Sequence, residues 1–585
     1  MIPNYKKHTF RKQVLFYIYL ILSVIILNRF FFLQIVENEK YKIKAGNNSL
    51  RKIIIYPPRG IIYDRNFIPL VDNKPLYEIN IIPADMQNSF DYKLINTHLN
   101  VTKNKIDSLI AQSKNVAGGQ FKPILLKRYI NFNTKAILEE YKLDLKGLYF
   151  SELPARIYTT DCKLSHVLGY LRKIDQKKLI SNDYYLNDII GFSGVEKFYE
   201  NKLRGIYGTN YFLVDRFGII QGKYETDNDL SAIQGSNLNL TIDSRIQSFA
   251  ENIFHNYKGS IIIVNPDNGE IISLISSPAY DLDSFVGPIP IDKWNELVHD
   301  ENKPFTNRAT QATYPPGSIF KLVLAAIALE KDIVSTNWEV ECNGKYHFYD
   351  TIFRCWKTDG HGNVNLNDAI KKSCNIYFYN LMQKVDFDTW YSETKKFGFG
   401  ELTGIDLPQE NKGRVPNKEF MNQFYKELGG WSKGHLLNLS IGQGEVSVTP
   451  MQILQLVNLI ATNGKTFIPH LNLNSDKQYF ELDYNNNVWK ILNIAMYEAV
   501  NGYEGTAYNA SIKKKYGVVF GKTGTAQVCS NCSLEPHGWF TGYLKMNNSL
   551  KYSICIIVEN GGKGSNVPSK MAKKIFEYII NLNNV

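Results

Sequence analysis

A serine three residues ahead of a lysine, Ser318 and Lys321 in S-I-F-K, places a nucleophile beside a base able to activate it. Two further signals follow in fixed order: S-C-N at Ser373 to Asn375, and K-T-G-T at Lys522 to Thr525. Any one of them recurs by chance in a lysine-rich chain, and S-C-N alone reads most simply as a solvated loop or a cap. Their order and context make them the parts of a serine acyl-transfer site. Tyr314-Pro315-Pro316-Gly317 is a turn that opens onto a helix, and Ile319 to Leu329 is apolar on nearly every side. Ser318 is therefore predicted at the mouth of a buried helix, whose N-terminus favours negative charge developing there. Ser318 and Lys321 share a helix face, so the amine reaches the hydroxyl. Desolvation disfavours the charged lysine, and the neutral amine can take the serine proton.

Tyr516 to Gly521 reads as a buried strand that carries K-T-G-T, with Thr523 and Thr525 on one side of it by the period of two. Their hydroxyls suit a substrate carboxylate, and Lys522 supplies positive charge for an anionic end. Gly524, without a side chain, is expected to let an extended peptide lie along the strand. A helical pattern from Asn365 to Lys372 delivers Ser373 and Asn375 to a loop, the first placed to relay a proton and the second to hydrogen-bond a substrate amide.

The elements that position these groups imply more than one domain, since single cores stop growing at about 250 to 300 residues and this chain has 585. From Gly235 the pattern becomes regular: Leu238 to Asp243 alternates as a strand, and a helix follows. Gly259 to Val264 and Glu270 to Ile275 then form a hairpin around Pro266 to Gly269. Lys551 to Glu559 is another strand, and Ser569 to Leu582 a closing amphipathic helix. The class is α+β, a sheet between helix layers. The region from Tyr41 to Gln234 offers no nucleophile–base pair and no phosphate loop, which suits spacing and docking.

Lys6, Lys7, Arg11 and Lys12 precede the apolar run Val14 to Leu27, and no acidic residue occurs before Glu37. Phe30 to Val36 extends the run past Asn28 and Arg29 towards the roughly 20 residues a bilayer needs, and Arg29 can snorkel to the interface. A cleaved signal peptide wants small residues near its cleavage point, but Ala45 is the first alanine. The expected division is a cytoplasmic tail over 1–13, an uncleaved single-pass anchor over 14–36, a non-catalytic domain over 37–234 and the catalytic domain over 235–585. The net charge of +11 is spread along the chain rather than gathered into basic blocks, which argues against nucleic-acid binding.

Cys342, Cys355, His361 and Cys374 fall within one short region. Three thiols and an imidazole are the ligand set of a closed structural zinc site; disulfides or scattered core cysteines are the alternatives. Cys529 and Cys532 form a local disulfide or nothing, and Cys555 sits in a core strand. A cysteine nucleophile, Cys374 with His361, leaves Lys321 and Lys522 without a role.

The three motifs together are the signature of penicillin-binding proteins and class A β-lactamases. Asn307-Arg308-Ala309 leading to Pro315-Pro316-Gly317-Ser318, and Ile441-Gly442-Gln443-Gly444 with Thr449-Pro450, resemble a class B penicillin-binding protein. Pro57-Pro58-Arg59-Gly60 through Asn66 resembles the opening of that class's non-catalytic domain, and Gly194-Val195-Glu196-Lys197 with Leu203-Arg204-Gly205 and Asp215 its end. Cys355-Trp356-Lys357, His361-Gly362 and His537-Gly538-Trp539-Phe540 favour the elongation-type penicillin-binding protein 2 over the septal type. Cys374 stands where the family often has Asp.

The resemblance implies a largely antiparallel five-stranded sheet flanked by helices, and a D,D-transpeptidase that cross-links peptidoglycan stem peptides ending in D-Ala-D-Ala. It implies an acyl-enzyme on Ser318, an oxyanion hole from the N–H groups of Ser318 and Thr525, and β-lactams as inhibitors. No cofactor is required for that chemistry, although some elongation-type relatives bind a metal beside the second motif, which supports zinc on Cys342, Cys355, His361 and Cys374. It further implies the bacterial inner membrane, a periplasmic catalytic domain, and a multi-pass SEDS-type glycosyltransferase with other elongation-complex proteins as partners. The rival readings are a carboxypeptidase or β-lactam hydrolase of the same fold, and a docking or sensor protein without activity.

Overall fold

The computed structural model describes residues 5–38, 50–115, 119–174, 184–185, 188–214, 220–224, 229–528, 533–547 and 549–583. The Cys529 and Cys532 pair lies outside the described residues. The chain forms two compact units. One comprises 1–59, 74–155 and 205–235, and the other 60–73, 156–204 and 236–585.

The first unit contains the apolar helix Tyr5–Phe31, which runs on through a π-helical turn, Phe32–Val36. Over Arg11–Val36 it is long and apolar enough to cross a membrane, and its large side chains are exposed. Further along, Leu50–Ile55 pairs antiparallel with Gly208–Val214, which pairs with Ile220–Lys223. A small core of Ile79, Ile81, Ile95, Leu99, Ile106 and Leu126 joins a sheet to the helices Tyr92–Leu99 and Lys103–Lys114.

The second unit is built on five strands: β1 Gly259–Val264, β2 Ile271–Ser277, β3 Gly517–Ala526, β4 His537–Met546 and β5 Lys551–Val558. Their order is β2-β1-β5-β4-β3 and every pairing is antiparallel. Both faces are covered, so the strands are apolar on both sides rather than alternating with polar residues. Ile261, Ile263, Ile554 and Ile556 pack with the helices Ser244–Phe254 and Val567–Asn583. Ile262, Val264, Cys555 and Ile557 belong to the larger core, which contains α1, Lys321–Glu330, and α2, Pro450–Ala461. Thr449 caps α2 through a reciprocal bond with Gln452, and Pro450 occupies the first helical position, where its missing N–H costs nothing. β3 closes one end of the sheet, so one of its edges pairs with no strand among the described residues.

The expected strand from Leu238 to Asp243 shortens to Leu238–Asn239, paired in parallel with Ile62 and Tyr63. Leu240 turns away to bridge Asn472. The second compact unit also takes in segments upstream of residue 235. Ile62, Leu70, Val167 and Val195 share the core of the second unit, and Glu196 forms a buried pair with Arg156 at 2.7 Å.

Candidate active site

Gly317–Phe320 forms a tight 3₁₀ turn that runs into α1. Ser318 is partly exposed within it, and its hydroxyl makes no hydrogen bond among the described residues. Gly317 has φ +56°, and its N–H donates to Gly442 O at 2.8 Å. A Cβ on Gly317 would lie 2.8 Å from Thr525 O. Glycine is needed there both for the left-handed backbone and for the close approach of the serine turn to β3.

Lys321 begins α1, where the residues through Ala328 are all buried. Its amine donates to Ser373 O at 2.9 Å, Ser373 Oγ at 3.3 Å and Asn375 Oδ1 at 2.7 Å. Lys522, on β3, donates to the same Ser373 Oγ at 3.0 Å and to Thr523 O at 2.9 Å. The Lys321 amine, three residues after Ser318, is held by three oxygens of the second motif. Neither lysine pairs with a carboxylate among the described residues. Burial pushes the Lys321 amine down to about 8, against an opposing pull from thiolate charge on Cys355, Cys374 and Cys342. Burial, and then the charge of Lys321, hold Lys522 well below the usual lysine range. Two like charges on one buried oxygen disfavour each other, so the pair is poised to hold less than two full charges.

Ser373 lies between α3, Leu366–Lys371, and α4, Asn375–Met382, with φ +53°. A non-glycine residue there is strained, and such strain gathers at functional sites. Trp356 holds the segment from outside, its indole N–H shared between Lys372 O at 3.0 Å and Ser373 O at 3.2 Å. Asn375 Nδ2 donates to Arg354 O at 3.2 Å. Trp356 carried the resemblance without an assigned role, and its adjacency to Cys355 was the signal that could have drawn attention to it.

K-T-G-T lies at the C-terminal end of β3, as expected. Thr523 is buried, and Thr525 Oγ1 accepts from Gly564 N at 3.4 Å. Gly524 has a packing role the sequence did not reveal. A Cβ there would meet Ile319 Cγ1, Pro316 O and Trp539 Cβ, each at 3.1 Å. Its missing side chain makes room for the protein's own serine turn. Gln443 Nε2 donates to Thr525 O at 3.2 Å, tying the Gly442 loop to the same point.

Cys342, Cys355, His361 and Cys374 converge, with one ligand atom from each and all four atoms within 4.8 Å of one another. His361 Nδ1 lies 3.4 Å from Cys342 Sγ and 3.6 Å from Cys355 Sγ. Zinc bonds of about 2.3 Å to sulfur and 2.0 Å to nitrogen give tetrahedral N···S edges of about 3.5 Å and S···S edges of about 3.8 Å, and the two His361 contacts match the first, so the donor set fits. The three cysteines are free thiols, which sets aside disulfides among them. Cys355 is held far below the usual thiol range, first by Cys374 and then by His361 and the Asn375 N–H, while Cys355 pushes Cys374 up. Thiolate character within the cluster is what a metal ligand requires. Asn375 N donates to Cys355 Sγ at 3.4 Å, so the cluster and the second motif share a backbone. Cys555 is buried in β5.

The penicillin binding protein transpeptidase domain matches residues 259–581, and the penicillin-binding protein dimerisation domain residues 54–240. The peptidoglycan D,D-transpeptidase MrdA of Salmonella typhimurium is 29% identical, with 94% of this chain and 92% of that protein covered. MrdA of Escherichia coli K12 is 28% identical, with 97% and 94% covered. Among solved structures, penicillin-binding protein 2 from Helicobacter pylori in complex with MreC superposes with a TM-score of 0.78 at 30% identity, covering 90% of this chain and 99% of that one. The chain belongs to the penicillin-binding protein transpeptidases. It is a peptidoglycan D,D-transpeptidase of the α+β class and resembles the elongation-type penicillin-binding protein 2; the hydrolase and docking-protein readings are not favoured. Its fold binds peptidoglycan and β-lactams.

Proposed function

We propose that Ser318 is the nucleophile of a two-step acyl transfer. Its oxygen attacks the penultimate D-alanine carbonyl of a stem peptide, the peptide C–N bond breaks, and the terminal D-alanine leaves carrying the proton. An amine of a neighbouring stem then attacks the ester, forms the cross-link and returns the hydroxyl to Ser318. Lys321 takes the serine proton, and Ser373, bonded to both lysines, relays it towards the leaving amine. Asn375 holds the substrate amide, Lys522 with Thr523 and Thr525 holds the terminal carboxylate, and Gly524 lets the serine turn reach β3. The N–H groups of Ser318 and Thr525 stabilise the oxyanion. The observation that carries this reading is the meeting of two uncompensated buried amines on Ser373 Oγ, at 3.3 and 3.0 Å, beside the serine turn. Fluorescent penicillin should label the full-length protein and fail to label Ser318→Ala; retained labelling of that variant rules out Ser318.

The apolar N-terminal helix supports a single-pass anchor over 14–36 in the bacterial inner membrane, with 1–13 cytoplasmic, a non-catalytic domain over 37–234 and a periplasmic transpeptidase domain over 235–585. Action in cell elongation and shape maintenance, beside MreC-like proteins and a multi-pass SEDS-type glycosyltransferase, is supported by likeness to a penicillin-binding protein 2–MreC complex and to a peptidoglycan synthase complex. Nucleic acid has no place in this reading. Cys342, Cys355, His361 and Cys374 would hold one structural zinc, which when bound supplies a fixed cross-link and no open position for chemistry. Elemental analysis of the purified full-length protein should find one zinc per chain, and a value well below one excludes it.

A further inference from the structure

Four residues before Ser318, the buried phenol of Tyr314 donates to Glu559 Oε1 at 2.7 Å. Arg308 Nε donates to the same oxygen at 2.8 Å. Arg308 also holds its own loop, donating to Asn302 O at 2.7 Å and Lys303 O at 3.3 Å, and its backbone N–H reaches Ser276 Oγ at 2.8 Å. Glu559 directly follows β5, and its backbone N–H is fixed on Lys258 O at 2.8 Å. One carboxylate therefore joins the central strand to the segment that leads into the nucleophile.

The same segment is gripped at Tyr314, Pro315 and Gly317. The Tyr314 ring meets Trp539 and His537 edge-on at 5.9 and 5.5 Å, and its backbone exchanges both bonds with Val448 at 2.9 Å. Pro315 O accepts from Trp539 Nε1 at 3.2 Å. Gly317 is bonded to Gly442. The Ser318 hydroxyl has no hydrogen-bond partner among the described residues. A phenylalanine at 314 would fill the same ring site, so the hydroxyl contributes a link to Glu559 rather than packing. Desolvation and the neighbouring carboxylate both push the Tyr314 phenol upward, which keeps it a donor.

We infer that Glu559, acting through Tyr314 and Arg308, is a positioning residue that sets the height of the Ser318 turn against the Thr525 backbone. This rests on Ser318 being the nucleophile. Positioning matters because the oxyanion donors must match where charge develops, and small displacements cost heavily in rate. Glu559 touches neither substrate nor reacting atoms.

The test uses the full-length protein in detergent with benzylpenicillin, peptide mapping of the acylated residue, and the infrared carbonyl stretch of the acyl-enzyme. Tyr314→Phe should lower the acylation rate constant about tenfold and leave the dissociation constant of the preceding complex unchanged. The ester carbonyl should move to higher wavenumber as its hydrogen bonds lengthen. Glu559→Gln should act in the same direction, and the double variant should be no slower than the slower single one, because both cut one link. If Glu559→Gln does not fold, Tyr314→Phe, which removes a single oxygen, decides alone. A wild-type rate constant with an unmoved carbonyl stretch, the acyl group still on Ser318, overturns the assignment. Acylation of the wild type at a residue other than Ser318 overturns the nucleophile reading instead, and this assignment with it.

Discussion

Two clusters of ionisable side chains meet at the segment 373–375, and they are closed in opposite ways. On one side, Lys321 and Lys522 are fully buried, face no carboxylate among the described residues, and share Ser373 Oγ beside a partly exposed serine. On the other, Cys342, Cys355, His361 and Cys374 turn their ligand atoms on one another within 4.8 Å. The lysine pocket keeps its charge uncompensated, which makes protons easy to move. The thiol cluster satisfies itself, which suits holding a loop. Chemistry and scaffolding differ here less in residue type than in whether each group has been given a partner.

Removing an amine should separate the two clusters most sharply. Lys321→Met is expected to lower acylation by benzylpenicillin by about a thousandfold or more, since the general base is lost. It should also stabilise the fold. Displacing the amine from its ordinary value to about 8 costs about 3 kcal/mol at neutral pH. Its loss strands few acceptors, because Ser373 Oγ keeps Lys522 and Ser373 O keeps Trp356. Only Asn375 Oδ1 is orphaned, at about 1 to 2 kcal/mol, which leaves a net gain of about 1 to 2 kcal/mol. A lower unfolding midpoint in Lys321→Met would show that the amine is structural, as the thiols are.

The converse variant acts through the scaffold. Cys355→Ala removes one ligand and the acceptor of the Asn375 N–H. On the proposal that the cluster holds zinc, metal content should fall below one per chain, and acylation should drop by about ten- to a hundredfold, the range seen when groups supporting a metal site are lost. Lys321→Met should leave the metal content of the wild type unchanged. Cys355→Ala with full metal and full activity would dissolve the distinction.

Much of this site was legible in the sequence, and what was not has a common cause. The strands β1, β3 and β5 and the hairpin turn at Pro266 to Gly269 announce themselves by local period and turn chemistry. The four metal-type ligands show in spacing alone. Gly524 has a packing role that stayed hidden, because a bare strand does not show which neighbour presses on a given face, and here it is the chain's own Pro316 and Ile319. Arg308 and Glu559 are 251 residues apart, and nothing local marks either as the other's partner. The same holds for 60–73 and 156–204, which pack with the catalytic unit although they lie upstream of it.

The third test concerns protons. Lys321 is lowered to about 8, so its reactive neutral form is a minority at neutral pH and dominates above that value. The acylation rate constant should fall about tenfold for each pH unit below 8 and level off above it. A profile flat between about pH 6 and 9 would mean that Lys321 does not limit acylation.

The smallest expected effect on rate comes from a buried ionisable group assigned to neither cluster. His166 is driven down to about 4, first by burial; its Nε2 bonds to Pro304 O at 2.8 Å, which opposes the shift, and the Arg308 charge adds to it. The folded state holds this ring neutral, whereas the unfolded chain protonates it near its ordinary value of 6.5. Unfolded molecules thus bind more protons between those two values. Stability is complete above about pH 6.5, declines as pH falls towards 4, and loses about 3 kcal/mol in all. His166→Phe should remove that decline, shifting the acid-unfolding midpoint read by tryptophan fluorescence to lower pH, with acylation at neutral pH unchanged. If the midpoint stays and acylation falls, this histidine belongs with the reactive lysines, and burial without a carboxylate partner is no longer the mark that separates the chemical cluster from the rest of the core.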